Sequence, residues 1–494
     1  MKTQTQQLSP VLLFLRMNLT LMLACLGFSA MSAAAQTCTT LHAFTNSPDG
    51  ANPRAGLILS GNTFYGTTVL GGSSGVGMVF RINPDGTCLT NLHSFPVVSG
   101  SKSTNKEGAY VAVILVLSGN TLYGTSYYGG TSGNGTVFRI NTDGTSFTNL
   151  HNFTATSNNG SYAYTNSDGA GPAGGLTISG NTLYGTTSDG GSSGAGTVFG
   201  INTDGTGFTN LHSLIASSDG SGSEAGLILS GNTLYGTAGG GGFWGVGTVF
   251  RINTNGTCFT NLHSFSGIYS FGNSEGSGPE GSLVFSGSTL YGTTVSGGGS
   301  GVGTVFRINN DGTCFTNLYN FTALNGNINS DGAEPIGGFT LSGNTLYGTA
   351  YTGGSSGKGT IFAINTDGTG FTNLHSFTAT SGTKSINSDG AVPFASLLFS
   401  GNNLYGMASA GGSTGDGALF KLSLPGPQLT LTASRTNVIL AWPTNDTVFA
   451  LEFTTNLVPA AWITNSTVPV VNGGQDVVTN AIAGTQKFYR LISQ

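Results

Sequence analysis

Charged residues are scarce in this chain. Among 494 residues there are 15 Lys and Arg and 20 Asp and Glu, so the formal net charge is −5. A basic surface able to follow a phosphate backbone is therefore lacking, and we expect no nucleic-acid partner. Long apolar runs are also missing after the first 31 residues, and we expect no membrane insertion of the mature chain.

Cysteine is rare as well, with only five residues in the whole chain. Cys88, Cys258 and Cys314 occupy the same position of a repeat, and Cys38 stands close to that position near the N-terminus. Packed sheets lie about 10 Å apart, whereas bonded cysteines need Cα atoms within about 7 Å. The sequence therefore predicts free, buried thiols even though an exported protein could form disulfides.

Glycine, in contrast, is abundant, with 82 residues, and the hydrophobic fraction is still 38%. So many glycines disfavour helices but suit tight turns. The apolar residues fall in short clusters that can bury a core. We therefore expect an ordered, all-β protein.

The first 35 residues have the features of a secretory signal peptide. Lys2 and Arg16 precede an apolar run over residues 19–31, and Ala33 to Ala35 provide small residues for cleavage before Gln36. Lipoprotein processing at Cys25 is an alternative, although Met-Leu-Ala before it fits poorly. The expected location is secreted or on the cell surface.

One sequence pattern occurs seven times, and its clearest feature is a tyrosine in Leu/Phe-Tyr-Gly. The repeats are spaced 51 to 61 residues apart. A period near 50 residues with several short strands per copy predicts a β-propeller. The seven tyrosines are Tyr65, Tyr123, Tyr184, Tyr235, Tyr291, Tyr347 and Tyr405.

Each repeat divides into four predicted strands. In the copy around Tyr184, Gly-Asn at 180 and 181 and Asp-Gly at 204 and 205 supply the hairpin turns. Both faces of the third strand are apolar, as expected for a sheet packed between two neighbours. The strands of this copy are predicted at 175–179, 182–188, 197–202 and 207–214.

The seventh repeat lacks its fourth strand, and a matching segment stands alone at the N-terminus. Residues 38–44 read Cys-Thr-Thr-Leu-His-Ala-Phe, which resembles the fourth strand of the other repeats. We predict that this segment pairs with the seventh blade, so that no sheet edge stays open at the seam. The prediction is a seven-bladed β-propeller of four-stranded blades over residues 36–424.

The repeat stops at Pro425-Gly426-Pro427, which indicates a linker. Residues 425–494 contain several short strand patterns, including Val438 to Trp442 and Phe488 to Ile492. These predict a small C-terminal β-sandwich module.

The placement of Leu183-Tyr184 and Gly190-Gly191 resembles kelch repeats, but the regular tryptophan of kelch proteins is missing. The units are more similar to those of the bacterial GloVer, or choice-of-anchor, tandem-repeat proteins, with Leu-Tyr-Gly-Thr-Thr, Gly-Gly and Gly-x-Gly-Thr-Val-Phe. The similarity covers residues 37–424. It implies an exported repeat protein without a defined biochemical activity, and it carries no catalytic residues.

No catalytic, metal or cofactor site is predicted. All six histidines occupy one position of the repeat, which favours a packing role. The Asp-Gly turns are interpreted as hairpins because they lack the dense carboxylates of calcium loops. An enzyme would need carboxylates that converge in a cleft. The candidates in the connectors are Asp168, Glu275, Glu280, Asp331, Glu334 and Asp389.

Function is expected in the variable segments. In a four-stranded meander, the second-to-third loop and the connector between repeats open on the same face, here called the loop face. Aromatic residues gather there among Ser, Thr and Asn, with Trp244 the expected anchor. The predicted ligand-binding residues are Tyr127, Tyr128, Tyr162, Tyr164, Phe243, Trp244, Tyr269, Phe271 and Tyr351, and Tyr110 belongs to the same group.

These features favour a monomeric, non-catalytic binding or adhesion scaffold, without cofactor, for a polysaccharide or a cell-surface protein. Two alternatives stay open. One is a purely structural surface protein, and the other is a polysaccharide lyase or glycosidase.

Overall fold

The computed structural model describes residues 36–100, 103–158, 160, 163–266, 274–425, 429–434, 437–443, 449–455, 461–472, 475–481 and 487–493. The signal-peptide prediction for residues 1–35 falls outside them. The secondary structure of the described residues is strand and turn, which confirms the all-β prediction. No helix in this part of the chain is long and apolar enough to cross a membrane.

Each repeat forms one antiparallel sheet, and seven such sheets follow one another in the described part of residues 37–424. The first three contain Ile58–Ser60, Thr63–Thr68, Met78–Ile82 and Thr90–Ser94; Val116–Ser118, Thr121–Ser126, Thr136–Asn141 and Thr148–Asn152; and Thr177–Ser179, Thr182–Thr187, Thr197–Asn202 and Thr209–Ser213. The next three contain Ile228–Ser230, Thr233–Ala238, Thr248–Asn253 and Thr260–Ser264; Val284–Ser286, Thr289–Thr294, Thr304–Asn309 and Thr316–Asn320; and Thr340–Ser342, Thr345–Ala350, Thr360–Asn365 and Thr372–Ser376. The seventh contains Ala391–Pro393, Leu398–Ser400, Asn403–Ala410 and Ala418–Ser423, joined by Thr37–Ala43. A short hairpin, Ser157–Asn158 with Tyr164–Thr165, lies in the connector before the third sheet.

A glycine–phenylalanine contact explains why the repeat keeps Tyr-Gly on its second strand and Val-Phe on its third. Gly185 lies opposite Phe199 in the ladder. A Cβ on Gly185 would approach Phe199 Cζ to 2.5 Å, so only glycine leaves room for the ring. The same contact occurs between Gly66 and Phe80, Gly124 and Phe138, Gly236 and Phe250, Gly292 and Phe306, Gly348 and Phe362, and Gly406 and Phe420.

The apolar core lies between neighbouring sheets. Seven buried clusters each combine side chains of two consecutive sheets in the described residues. One of them joins Tyr405 and Leu419 of the seventh sheet to Phe64 and Phe80 of the first. The sheets therefore close into a ring, in which both faces of each sheet are buried.

The N-terminal strand completes the seventh sheet as predicted. Thr37–Ala43 pairs antiparallel with Ala418–Ser423, with Cys38 opposite Leu422. Phe44 is fully buried at the seam, and its ring lies 5.5 Å from that of Phe80. This strand is called the latch below.

Closer to the central axis of the ring, threonine hydroxyls on the second strands form hydrogen bonds to the next repeat. The Thr186 hydroxyl donates a 3.2 Å hydrogen bond to the Ala225 carbonyl of the next repeat. At the seam, Met407 occupies the threonine position and packs into the apolar cluster. At this closure point, the latch and the apolar contact of Met407 therefore take the place of the threonine hydrogen bond between neighbouring sheets. The equivalent hydrogen bonds run from Thr67 to Val113, Thr125 to Gly174, Thr237 to Gly281, Thr293 to Gly337 and Thr349 to Ala395.

The cysteine prediction is half correct. The four cysteines of the described residues are free, and Cys38 is half-buried, but Cys88, Cys258 and Cys314 are exposed rather than buried. Their φ angles are +56°, +56° and +57°, because the chain turns in the left-handed region just before the fourth strand. This turn directs the three side chains away from the sheet packing.

The C-terminal segment forms two antiparallel sheets. The first contains Thr430–Ser434, Asn437–Pro443, Gln475–Ala481 and Val470–Asn472, and the second contains Ile463–Thr464, Phe449–Thr454 and Phe488–Ser493. Leu440, Trp442 and Val478 of the first sheet share a buried cluster with Leu451 of the second.

Candidate functional site

The two variable segments of each repeat meet at one end of the sheets. The connector residue Ala109 forms a bridge with Tyr128, which begins the second-to-third loop, and Ala170 does the same with Asp189. Equivalent bridges link Ala51 to Leu70, Ser221 to Gly240, Ser277 to Ser296 and Ala333 to Thr352. The loop face is therefore built from both segments.

A cavity of about 330 Å³ lies where the connectors of all seven repeats converge. We call it the axial cavity. The same position of the connector contributes one lining residue from each repeat. The residue type at this position varies from repeat to repeat, whereas the strand sequences are nearly constant. These seven residues are Arg54, Ala112, Ala173, Glu224, Glu280, Ile336 and Phe394.

Below this level the inner strands approach one another closely. A Cβ on Gly226 would lie 3.1 Å from the Gly175 carbonyl oxygen, and a Cβ on Gly56 would lie 2.9 Å from Ile114 Cδ1. Small residues at this position therefore bring the backbones together, and Ile114 fills part of the remaining space. Ser282, Gly338 and Ser396 complete the same level of the lining.

Acidic side chains concentrate on one side of the axial cavity. Burial raises the pKa of Glu224, and the nearby Asp189 raises it further. Burial also raises the pKa of Glu280, to which the charge of Glu224 adds. Neither glutamate forms an ion pair within the described residues. A positive group in the cavity would relieve this repulsion.

The basic side lies at the seam between the seventh and first repeats. The Arg54 guanidinium carbon is 5.2 Å from the centre of the Phe394 ring, and Arg54 Nε donates a 2.8 Å hydrogen bond to Asn52 Oδ1. No carboxylate of the described residues forms an ion pair with Arg54. Its charge is therefore held in position without being neutralised.

Three tyrosines form an aromatic wall of the cavity. The rings of Tyr127 and Tyr128 lie 4.7 Å apart, and those of Tyr110 and Tyr128 lie 5.5 Å apart, both edge to face. The Tyr127 hydroxyl accepts a 3.4 Å hydrogen bond from Ser188, and burial raises the pKa of Tyr127. The wall thus combines apolar ring surface with hydroxyl groups.

Tyr110 adopts a backbone conformation that bulky residues rarely take. Its φ is +59°, and the equivalent residues of three other repeats are Gly171, Gly222 and Gly278. The local backbone of Tyr110 is therefore strained while its ring lines the cavity. Glu334 and Val392 share this position with φ of +56° and +61°.

The predicted aromatic residues that the structure describes divide into two groups. Tyr127 and Tyr128 line the axial cavity, and Tyr351 packs against Phe394 with ring centres 5.8 Å apart. Phe243 and Trp244 instead form an exposed pair in the loop of the fourth repeat, 76% and 49% accessible, with ring centres 4.9 Å apart. Tyr164 is 60% exposed on the short hairpin. Tyr162, Tyr269 and Phe271 lie outside the described residues.

The histidines have a packing role, as the sequence predicts. His151 Nε2 lies 2.9 Å from Asp168 Oδ2, and its ring stacks on Phe208 at 3.8 Å. Tyr319 replaces histidine in one repeat and donates a 2.8 Å hydrogen bond to Asp331. The remaining pairs are His42 with Asp49, His93 with Glu107, His212 with Asp219, His263 with Glu275, and His375 with Asp389.

These pairs show where most of the carboxylates considered for catalysis lie and what they contact. Asp168, Glu275, Asp331 and Asp389 contact the outer-strand histidines or tyrosine, whereas Glu280 lines the axial cavity. Glu224 also lines the cavity and was not among the sequence candidates. When the connectors are aligned on the Gly/Ser-Leu/Phe pair that begins two positions later, Glu224 and Glu280 fall at equivalent positions of their repeats. No group of three or more His, Cys, Asp or Glu side chains in the described ranges is arranged to hold a metal ion.

A ring of short antiparallel sheets around a variable cavity defines a β-propeller-type repeat scaffold. The model of the Gloeobacter/Verrucomicrobia repeat matches residues 28–166, 160–327, 266–383 and 327–450, and the chain belongs to this family. No curated protein matches the chain.

Several solved structures are similar in outline. An oligogalacturonate lyase in complex with manganese is 9% identical, with 79% of this chain and 97% of that chain covered and a TM-score of 0.44. TolB from Acinetobacter baumannii is 13% identical, with 59% and 58% covered and a TM-score of 0.35. A nidogen/laminin complex gives 13% identity, 60% and 89% coverage and a TM-score of 0.35.

Proposed function

We propose that the chain is an exported, monomeric, non-catalytic scaffold that binds carbohydrate at the loop face, with the axial cavity as the centre of the site. The observation that carries this proposal is the convergence of Tyr110, Tyr127 and Tyr128 on a cavity to which every repeat contributes. A constant scaffold with variable side chains at one end is a common way to build a binding site.

The residue types suit a sugar. Tyrosine rings provide apolar platforms, while Glu224, Glu280 and the tyrosine hydroxyls can bond to sugar hydroxyls. Phe243 and Trp244 supply a second exposed platform on the fourth repeat, where an extended polysaccharide or a cell-surface partner could make further contact.

The mature chain, residues 36–494, can be tested by a glycan and polysaccharide binding screen. With a ligand identified, the double variant Tyr127→Ala/Tyr128→Ala should lose most affinity, and Trp244→Ala should lose more than about 1 kcal/mol. Ile463→Ala removes an exposed apolar side chain of the C-terminal module and serves as the control. Unchanged affinity in both aromatic variants would refute the loop-face site.

A polysaccharide lyase or glycosidase is the second candidate, favoured by the presence of Glu224 and Glu280 in one cavity. Glycosidases use two carboxyl groups, one of which must stay protonated as the acid, and a raised pKa helps it do so. Incubation with the bound polysaccharide should then produce new reducing ends or unsaturated products. If the wild-type chain cleaves the polysaccharide and the double variant Glu224→Gln/Glu280→Gln does not, the chain is an enzyme and the scaffold proposal is wrong. Binding without cleavage supports the scaffold proposal.

A further inference from the structure

We infer that the axial cavity selects a zwitterionic amino sugar, a unit that carries both a free ammonium group and a carboxylate. This inference rests on the proposed function, since it specifies the sugar that the cavity takes. Its basis is the arrangement of charges of opposite sign at one repeated position around a single cavity, none of which has an ion-pair partner among the described residues.

The charges lie on opposite sides of the ring. Glu224 and Glu280 belong to the fourth and fifth repeats, whereas Arg54 belongs to the first and contacts Phe394 of the seventh. In a ring of seven sheets, the fourth and fifth repeats lie across the ring from the seam between the seventh and first repeats. The other members of this position are Ala112, Ala173 and Ile336, which have no charge. The lining is therefore polarised along one diameter.

The acidic side requires a cationic group. Glu224 is exposed and Glu280 is half-buried, and the two carboxylates repel one another when ionised, with Asp189 adding to the repulsion at Glu224. Neither glutamate has an ion-pair partner among the described residues. An ammonium group donates three hydrogen bonds and removes this repulsion. Tyr110, Tyr127 and Tyr128 line the same cavity, and aromatic rings attract a cation over their faces.

The basic side requires an anionic group. Arg54 is held by Asn52 and by the Phe394 ring, and both contacts leave donors of the guanidinium free of any carboxylate in the described residues. A pre-positioned guanidinium binds a carboxylate in two-point fashion. The volume of about 330 Å³ lies at the lower end of the range for small-ligand sites and suits a single sugar unit.

The test uses four related sugars that differ in a lactyl group and an N-acetyl group, and therefore in charge. Muramic acid carries both groups, glucosamine carries the ammonium alone, N-acetylmuramic acid carries the carboxylate alone, and N-acetylglucosamine carries neither. We expect muramic acid to bind tightest, about tenfold better than either singly charged sugar. Titration calorimetry or ligand-observed NMR with the mature chain measures the four dissociation constants.

Two variants assign the effect to each side. Arg54→Met should abolish the preference of muramic acid over glucosamine, and Glu224→Gln/Glu280→Gln should abolish its preference over N-acetylmuramic acid. The matched controls are Arg81→Met, on the third strand of the first sheet, and Glu334→Gln; both side chains are outside the cavity lining. Both should keep the wild-type order.

The outcomes separate this inference from the proposed function. If sugars bind and depend on Tyr127 and Tyr128 but show no charge preference, the inference is wrong and the carbohydrate site stands. If alanine, a zwitterion without a sugar, binds as tightly as muramic acid and no sugar polymer binds, the carbohydrate proposal fails. If none of the four sugars binds, the inference is wrong.

Discussion

The ring of Phe199 lies so close to Gly185 on the neighbouring strand that a Cβ on the glycine would come within 2.5 Å of Phe199 Cζ. Gly185→Ala should therefore lower the free energy of unfolding by about 1–3 kcal/mol through overpacking. Chemical denaturation of the mature chain measures this. Gly299→Ala is the control, because no atom lies within 4 Å of its added Cβ and its φ is not in the left-handed region. Similar losses in the two variants would contradict the packing explanation.

Asp168 should stabilise the fold in a pH-dependent way. Burial tends to raise the pKa of Asp168, but hydrogen bonds from His151 and Thr154 outweigh it, so the pKa is lowered on folding. The stabilisation is present above the ordinary carboxyl pKa and disappears as pH falls through the lowered value. Asp168→Asn should cost about 2 kcal/mol near neutral pH, and the difference from wild type should shrink below about pH 4.

The repeat that has Tyr319 in place of histidine suggests a comparison for the His151–Asp168 pair. Because Tyr319 donates to Asp331 in the histidine position, His151→Tyr should retain much of the stability, whereas His151→Phe leaves Asp168 with fewer partners and should not. Thermal melts of the two variants at pH 7 distinguish them. Equal melting temperatures would show that the ring stacking, rather than the hydrogen bond, is what matters.

The latch should contribute substantially to stability. Removal of residues 37–46 exposes the edge of the strand Ala418–Ser423 and takes away buried apolar surface at the seam, so the melting temperature should fall markedly. Phe44→Ala alone should cost about 3–5 kcal/mol because its ring is fully buried. Thr39→Ala changes an exposed latch residue and should have little effect. An unchanged melting temperature after truncation would show that the latch does not hold the ring.

The charge cluster of the axial cavity should reduce stability at neutral pH. The pKa of Glu224 and of Glu280 is raised on folding, first by burial and then by Asp189 and Glu224 respectively. Such groups are best tolerated when protonated, and stability is lost as pH rises through the raised values. Arg54 and Tyr127 also face the cavity, but neither is altered by the test.

Glu224→Gln/Glu280→Gln should therefore raise the melting temperature at pH 7 and give no gain near pH 3.5. The proposed ligand site would explain why the fold keeps this destabilising charge pair, because binding sites commonly trade stability for function. Thermal melts over pH 3.5–8 without ligand provide the comparison. A variant that is less stable than wild type at pH 7 would show that the two carboxylates have stabilising partners in the fold.

Much of the architecture could be predicted from the sequence because it is local and repeated. The Tyr-Gly and Val-Phe patterns, with turn residues between them, place four strands in each repeat within about two residues of their observed ends, as the copy around Tyr184 illustrates. The unmatched segment at Cys38 to Phe44 predicts the latch for the same reason: a missing strand at one end of the chain has its equivalent at the other.

Other features depended on tertiary structure. Exposure of Cys88 follows from a left-handed turn that its sequence does not reveal, and the carboxylate roles follow from long-range pairs such as His151 with Asp168. The axial cavity exists only because ring closure brings Arg54 beside Phe394, 340 positions later in the chain, and aligns Glu224 with Glu280 around one axis. The repeated sequence determined the sheet and its neighbours through local packing, whereas closure of the ring decided which variable side chains share a site.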